Sequence, residues 1–191
     1  MTRATVDRPW WLIPGSELLA AACGSGYTSD DELRCMAADP DSAIFLAHEL
    51  AELLGICIVG VANAAVRAQM SRSLSVLRHV ESVAAEEAIG WFRTIVVDPA
   101  VRGQGIGDQC VKAGLEYLRK AGCRTTYAVS WVSGTGQQSE GLLKRNGFTA
   151  LGVIPNYWSE VVDYQGSCAV CGTPCRCSGL IMRRKEHPGG R

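Results

Sequence analysis

Two hydrophobic periods alternate along this chain and predict a mixture of strands and helices. Short apolar runs of β type favour strands, and the first two of them are separated by a compact polar turn, which predicts an antiparallel hairpin. The predicted strands are 43–49, 53–61, 89–97, 124–132, 148–154 and 180–184.

Helical spacing and capping signals mark the segments between these strands. Ser29 and Glu32 form a capping-box signature, and Gly122 stands where a C-cap is expected after a helix. Segment 63–85 repeats apolar residues at helical spacing, with arginines elsewhere on the turn, and predicts an amphipathic helix. The predicted helices are 16–22, 29–38, 63–85, 105–120 and 137–145.

Composition agrees with one domain over residues 1–191. The chain has 47% hydrophobic and 20% charged residues, so it can bury a substantial core. Lysine plus arginine equals aspartate plus glutamate at 19 each, which argues against nucleic-acid binding through bulk charge. The amino terminus lacks the pattern of a secretory signal, and no run of eighteen apolar residues occurs. We therefore expect a cytoplasmic protein that does not associate with membranes.

The most specific signal is the stretch 94–107, TIVVDPAVRGQGIG. A β-branched run stops at Asp98 and passes into a turn with glycines at 103, 105 and 107. Glycines allow positive φ and close approach, so successive N–H groups can converge on phosphate oxygens at a helix start. The turn lacks the Gly-Lys-Ser/Thr of a P-loop and the later acidic residue of a dinucleotide fold. It therefore predicts a pyrophosphate site of another kind.

This V-x-P-x-x-R-G-Q-G-I-G pattern, followed by a helix and by Gly147-Phe148, resembles the acetyl-CoA-binding core of the GNAT acyltransferase superfamily over roughly residues 43–154. The resemblance implies an α/β (α+β) fold with a mixed, mostly antiparallel central sheet flanked by helices. It also implies transfer of an acyl group, most simply acetyl from acetyl-CoA, to an amine. Helix 63–85 is then an insertion that packs on the core, lines the acceptor side or forms a homodimer contact.

The resemblance also implies where the acyl donor binds. Pantetheine pairs with the exposed edge of a splayed strand, the pyrophosphate rests on the glycine turn, and a main-chain N–H at or beside Val97 polarises the thioester carbonyl. The implied cofactor-binding residues are Ile95, Val96, Val97, Arg102, Gly103, Gln104, Gly105, Ile106 and Gly107.

Acyl transfer to an amine needs a base, because a free amine has a pKa near ~10 and must lose a proton. Glu87 and Glu86, just before the central strand, are the predicted bases, and Glu160 and Asp163 are alternatives.

The residue at the position of the general acid differs from the family pattern. Many members carry a tyrosine four residues before the Gly-Phe pair, where this chain has Leu143. The predicted substitute is Tyr157, with Tyr127, Trp131 and Cys110 as alternatives. Because a thiol has a pKa near ~8.5 and leaves readily as the thiolate, this change does not exclude the reaction.

A second strong signal is the C-x2-C-x3-C-x-C spacing of Cys168, Cys171, Cys175 and Cys177. Four soft ligands in one loop favour a structural, tetrahedral Zn²⁺ site without an open catalytic position. A ligand drawn from His187, a redox dithiol and free thiols stay open as alternatives. The cysteines lie in a long loop, 155–179, that borders the acceptor pocket in GNAT proteins. We hypothesise that zinc rigidifies one wall of that pocket.

Two functional classes follow from the sequence. The first is an N-acetyltransferase that acts on a primary amine of a small molecule or peptide. The second is a non-catalytic module that binds an acyl-CoA or holds a protein partner through the zinc loop, and Leu143 at the acid position favours it.

Overall fold

Nine strands are found in the part of the chain that the structure covers. The computed structural model describes residues 1–5, 7–77, 88–133 and 139–186. The strands are β1 (Thr2–Arg3), β2 (Gly24–Ser25), β3 (Ser42–Glu49), β4 (Glu52–Val61), β5 (Ile89–Val97), β6 (Thr125–Val132), β7 (Thr149–Ile154), β8 (Ser167–Cys168) and β9 (Ser178–Lys185).

Helices connect these strands. Within the described ranges, none is long and apolar enough to cross a membrane. The α-helices are α1 (Leu12–Cys23), α2 (Asp30–Ala38), α3 (Ala64–Val76), α4 (Ile106–Lys120), α5 (Glu140–Arg145) and α6 (Tyr157–Glu160).

Seven strands form one central sheet in the order β1-β3-β4-β5-β6-β9-β7. Neighbouring strands run antiparallel except β5 and β6, which are parallel. A separate two-stranded sheet joins β2 to β8. The fold is therefore the mixed α/β architecture with a mostly antiparallel sheet that was expected.

Helices pack on both faces of the sheet because apolar residues of its strands point alternately to either side. On β4, Cys57 and Val59 belong to the core beneath α4, whereas Ile56 and Ile58 belong to the core beneath α1 and α2. A third core lies beneath α3 and includes Ile89. The central strands are thus buried on both faces, which explains their nearly continuous hydrophobicity.

Local signals predicted several boundaries correctly. Strands β3 and β4 form the expected hairpin, paired from Ser42 with Gly60 to Glu49 with Glu52. The capping box of α2 is also present, because the Ser29 side chain accepts from the Glu32 amide and the Glu32 carboxylate accepts from the Ser29 amide. Gly122 adopts φ +81 after α4, as the C-cap prediction requires.

Helices α1 and α3 have other bounds than those predicted, and α6 was not predicted. Helix α1 begins at Leu12, and Ser16 lies inside it with its hydroxyl donating to the Ile13 carbonyl, so Ser16 is not a cap. Helix α3 ends at Val76, because Leu77 leaves the helical backbone with ψ 54 and is buried in the core. Residues 78–85 of the predicted helix lie outside the described part of the chain.

Candidate functional site

The glycine-rich turn joins β5 to α4. Asp98 stabilises the start of this turn, because its carboxylate accepts a hydrogen bond from the Ala100 amide at 2.8 Å. Gly103 and Gly105 then adopt φ +82 and +80, in the left-handed region that favours glycine. A Cβ added at either position would meet no atom within 4 Å, so the outer side of the turn is open.

This open side presents the amino terminus of α4. Gly105 is the N-cap and supplies no side-chain hydrogen bond, so the first amides of this 15-residue helix are not capped by its side chain. Free N–H groups and the helix dipole together attract anions. The side chain of Arg102 turns back toward β5, where its Nε donates to the Val97 carbonyl at 3.2 Å.

Strands β5 and β6 separate halfway along their length. They pair from Ile89 with Thr125 to Phe92 with Ala128, but β5 continues to Val97 and β6 to Val132. Strand β4 stays paired with β5 up to Val97 on the other side. The edge of β5 after Phe92 therefore opens toward a gap between the two parallel strands.

A cleft of about 610 Å³ occupies this gap and extends from the glycine turn to the cysteine loop. We define its donor half by the glycine turn with the end of β5, and its acceptor half by the opposite end. The acceptor half is lined by Ala22, Cys23, Tyr27, Arg93, Trp131, Trp158, Tyr164, Cys168, Val170 and Cys175.

The residues predicted for cofactor binding are brought together here. All of them except Gln104, which is exposed, line the cleft. The cleft-lining members are Ile95, Val96, Val97, Arg102, Gly103, Gly105, Ile106 and Gly107.

The structure describes two of the four candidate bases. Glu86 and Glu87 lie outside the described residues, so their role stays a prediction. The alternatives Glu160 and Asp163 do not line the cleft. Glu160 accepts a hydrogen bond from the Asn156 side chain, and Asp163 accepts one from Gln165.

Tyr157, the predicted general acid, does not line the cleft. Its ring is buried beneath α3, and its hydroxyl lies 3.1 Å from Gln69 Nε2 and 3.3 Å from Ser73 Oγ. Burial raises the pKa of Tyr157. Leu143, at the family's tyrosine position, is buried in the core beneath α4.

The alternative acids are also largely structural. Tyr127 is buried in the core beneath α3, and Cys110 is buried beneath α4. Burial raises the pKa of Cys110 to about 11. Trp131 alone among these alternatives lines the cleft.

The four cysteines of the loop form a compact cluster. Their sulfur atoms lie within 4.8 Å of one another. Cys171 Sγ is 3.5 Å from Cys168, 3.6 Å from Cys177 and 3.8 Å from Cys175. With Zn–S bonds of about 2.3 Å, a tetrahedral tetrathiolate places its sulfur atoms about 3.8 Å apart. The three distances from Cys171 are therefore close to the spacing of a tetrahedral metal site.

Backbone amides also point at these sulfur atoms. The amides of Val170 and Cys171 donate to Cys168 Sγ, and the Arg176 amide donates to Cys171 Sγ at 3.2 Å. Burial raises the pKa of the Cys171 thiol, but the Arg176 amide and the three neighbouring thiols outweigh it and lower that pKa to about 7. Donors of this kind stabilise thiolates, as they do around bound metals.

Two tryptophans join the cysteine cluster to the cleft. Trp131 and Trp158 pack against the buried cysteines, and both also line the acceptor half. Their rings meet edge to face, with centroids 6.2 Å apart. The indole Nε1 of each is buried and makes no hydrogen bond of ordinary geometry in the described structure. Burial raises the pKa of the neighbouring Cys177 thiol to about 11, and the nearby Trp131 indole offsets part of that rise.

The loop is fastened to the amino-terminal part of the chain. Cys168 pairs with Gly24 in the small β2–β8 sheet, and the Tyr164 hydroxyl donates to the Ser25 carbonyl at 3.0 Å. Sequence reasoning did not identify Cys23, Tyr27 or Arg93 as cleft residues. No local signal marks them, because their place depends on the pairing of segments distant in sequence.

Comparisons with known proteins agree with this geometry. The model of the acetyltransferase (GNAT) family matches residues 15–148. A search of curated proteins found no significant match. The cysteine cluster lies beyond the residues that the family model matches.

Similar solved structures share the fold at low sequence identity. An aminoglycoside 6'-N-acetyltransferase complexed with coenzyme A has a TM-score of 0.66 and 14% identity, with all of both chains covered. The enzyme of that class from Enterococcus faecium has a TM-score of 0.64 and 15% identity, again with full coverage. The ribosomal-protein-S18-alanine N-acetyltransferase from Escherichia coli has a TM-score of 0.62 and 15% identity, covering 100% of this chain and 96% of that one. Because the family model spans well over half of its residues, the chain belongs to the acetyltransferase (GNAT) family and is an acyl-CoA-dependent N-acyltransferase.

Proposed function

We propose that this chain transfers an acetyl group from acetyl-CoA directly to a primary amine of a small molecule or peptide. The observation that carries the proposal is the single cleft that connects the open glycine turn to the gap between β5 and β6. An anion site at one end and a free strand edge in the middle suit a long donor with a pyrophosphate and an amide-containing arm.

The donor half supplies binding and polarisation. The pyrophosphate binds the amides of the turn from Arg102 to Gly107, and the pantetheine arm pairs with the edge of β5 at Ile95–Val97. A main-chain N–H at or beside Val97 donates to the thioester carbonyl and stabilises the negative charge that develops on its oxygen.

The reaction needs no covalent intermediate on the protein. The neutral amine attacks the thioester carbon, a C–N bond forms, and the C–S bond breaks as CoA leaves as a thiolate. Glu87, with Glu86 as the second candidate, takes the amine proton directly or through water. Because a thiolate of pKa near ~8.5 is a good leaving group, Leu143 in place of a tyrosine is tolerated.

The acceptor is proposed as an amine on two grounds. The solved structures of similar fold bear the names of enzymes that acetylate aminoglycosides and the alanine of a ribosomal protein. The acceptor half of the cleft is also lined largely by aromatic and apolar side chains, as sites for small molecules commonly are.

We further propose that the four-cysteine cluster binds one structural Zn²⁺. The sulfur spacing, the amides directed at Cys168 and Cys171, and the unpartnered indole N–H groups all suit four thiolates around a metal. Four protein ligands leave no open position, so the ion would hold the loop together and would keep Trp131 and Trp158 in place along the acceptor half.

The alternative is a non-catalytic module that binds an acyl-CoA or uses the zinc loop to hold a protein partner. The observation that favours it is Leu143, which is buried in the core and offers no proton donor to the departing thiolate. A homodimer formed through α3 also stays a prediction, which light scattering tests.

Thiol release from acetyl-CoA in the presence of a panel of amines separates the two functions. The proposed enzyme releases CoA at a rate that depends on the amine, and mass spectrometry finds the acetylated product. Glu87→Gln and Glu86→Gln are compared with Glu160→Gln, whose carboxylate does not line the cleft. Tight CoA binding with no turnover on any amine would instead support the module.

A further inference from the structure

Arg93 occupies a special position where the two parallel strands part. On β4, Ile58 pairs with Thr94 and the next residue, Val59, pairs with Phe92, so Arg93 is the extra residue of a β-bulge. It directly follows Phe92, the last residue of β5 that pairs with β6. Bulges redirect a side chain and recur beside active sites. Arg93 is exposed and lines the acceptor half of the cleft.

Among the described residues that line the acceptor half, Arg93 is the one with a charged side chain. Among the described residues, the other charged groups of the cleft, Arg102, Asp108 and Arg145, lie at the glycine turn and at α5. Asp108 and Arg145 form an ion pair at 3.4 Å, and Arg102 donates to the Val97 carbonyl. These three groups therefore belong to the donor half, and Arg93 is the charged side chain that the described residues place in the acceptor half.

Glu32, an acidic group that interacts with Arg93, is engaged elsewhere. Glu32 is close enough to Arg93 for the two charges to interact, but its carboxylate forms the capping box of α2. One oxygen accepts from the Ser29 amide at 2.8 Å and from the Thr28 hydroxyl at 3.3 Å. No ion pair within 4.0 Å joins Arg93 to any acidic residue in the described ranges.

The backbone of Arg93 is held by a neighbour. The Tyr27 hydroxyl donates to the Arg93 carbonyl at 3.4 Å, and Tyr27 itself lines the cleft. The remaining wall is aromatic and apolar, because Trp131, Trp158 and Tyr164 face the same space. A ligand that matches this half combines an apolar or aromatic body with one negative group.

We propose that the acceptor is an amine that carries a carboxylate, as in an amino acid or a short peptide with a free carboxyl end, and that Arg93 binds this carboxylate. The guanidinium suits the task because its planar fork matches the two oxygens of a carboxylate. The aromatic wall contacts the body of the acceptor. This inference rests on the proposed amine acetylation and specifies its substrate class.

The test compares acceptors that differ only in this charge. The standard amino acids and phenylalanylglycine are assayed beside their carboxamides with acetyl-CoA, for the wild type, Arg93→Gln, Arg93→Lys and the control Arg119→Gln. Arg119 is an exposed residue of α4 that pairs with Glu116 and does not line the cleft. Because hydrogen bonds to charged groups are strong, we expect Arg93→Gln to raise KM for the preferred carboxylate acceptor by about 10- to 100-fold. KM for its carboxamide should not change, and Arg93→Lys should fall between, since it keeps the charge without the fork.

Calorimetry with the same pairs in the presence of CoA tests binding without turnover. Binding of a carboxylate that is lost in Arg93→Gln, but not in Arg119→Gln, supports the inference even if no amine is acetylated, in which case only the proposed function fails. Equal use and equal binding of carboxylates and carboxamides by the wild type would overturn it. The inference would also be overturned if Arg93→Gln lost carboxylate binding and carboxamide binding to the same extent. The arms with free amino acids and with the dipeptide distinguish the two sources of the carboxylate.

Discussion

Phe92 and Ala128 form the last pair between β5 and β6, and the two strands separate directly after them. Phe92 is buried and meets Phe148 edge to face, with ring centroids 5.8 Å apart. A Cβ added to Gly114 of α4 would lie 2.7 Å from the Phe92 ring, so α4 packs closely beneath this point. The point where the strands separate is thus fixed by core packing. The proposed binding of the acyl donor and of the acceptor in the cleft depends on this separation.

The glycine turn gives the sharpest test of donor binding. Gly105→Ala and Gly122→Ala both place a Cβ on a residue near φ +80 that meets no other atom. We expect both to cost roughly 1–2 kcal/mol of stability, since left-handed backbone disfavours side chains. Only Gly105→Ala should also weaken CoA binding, by about 10-fold, because close backbone approach to the phosphates is lost.

Thermal unfolding and titration with CoA measure the two effects separately. Gly122, at the far end of α4, is the matched control for strain. Equal CoA affinity in the two variants would contradict the placement of the pyrophosphate on this turn.

The cysteine cluster predicts a metal that stabilises the loop. Cys171→Ser should reduce zinc from one ion per chain to a small fraction, measured by elemental mass spectrometry. It should also lower the melting temperature and raise KM for the amine, because the wall formed with Trp131 and Trp158 loses its fixation.

Cys35→Ser is the control for this experiment, because Cys35 is an exposed cysteine of α2 outside the cluster. It should change neither zinc content nor kinetics. Loss of zinc in Cys171→Ser with unchanged stability and unchanged amine KM would refute the structural role of the metal.

Tyr157→Phe tests the role of this tyrosine. Its hydroxyl contacts Gln69 and Ser73 of α3, and Ser73 is buried, so we expect a loss of about 1 kcal/mol in the free energy of unfolding. The value of kcat and its pH profile should not change, because the hydroxyl does not reach the cleft. A fall in kcat of about 10-fold or more, together with a lost alkaline limb, would restore Tyr157 as a general acid.

Tyr27 predicts a loss of stability at high pH. Burial, together with the nearby Cys23, raises the pKa of Tyr27 to about 12. The unfolded chain releases this proton near pH ~10, whereas the folded chain retains it. The contribution is therefore complete below pH ~10 and is lost as the pH rises through 12.

Urea unfolding of the wild type and of Tyr27→Phe between pH 9 and pH 12 measures this dependence. The part of the alkaline loss that comes from Tyr27 should be absent from the variant. Identical slopes against pH for the two proteins would show that Tyr27 titrates alike in the folded and unfolded states.

Much of the fold was predictable because its signals are local. The hairpin of β3 and β4, the capping box at Ser29 and the end of α4 at Gly122 each depend on a few adjacent residues. The start of α1 was missed, because a short turn at Pro9–Trp11 leads into that helix and no capping side chain marks it.

The sequence by itself determined the family and the two chemical motifs of this protein. The glycines of the turn and the spacing of the cysteines are local, since backbone freedom and ligand reach act over a few residues. Only the tertiary structure decided what these motifs face. Pairing of β2 with β8 brings the cysteine loop to α1, the bulge places Arg93 in the cleft, and Tyr157 is turned toward α3. Such outcomes depend on strand register and on contacts between distant segments, which no local pattern records.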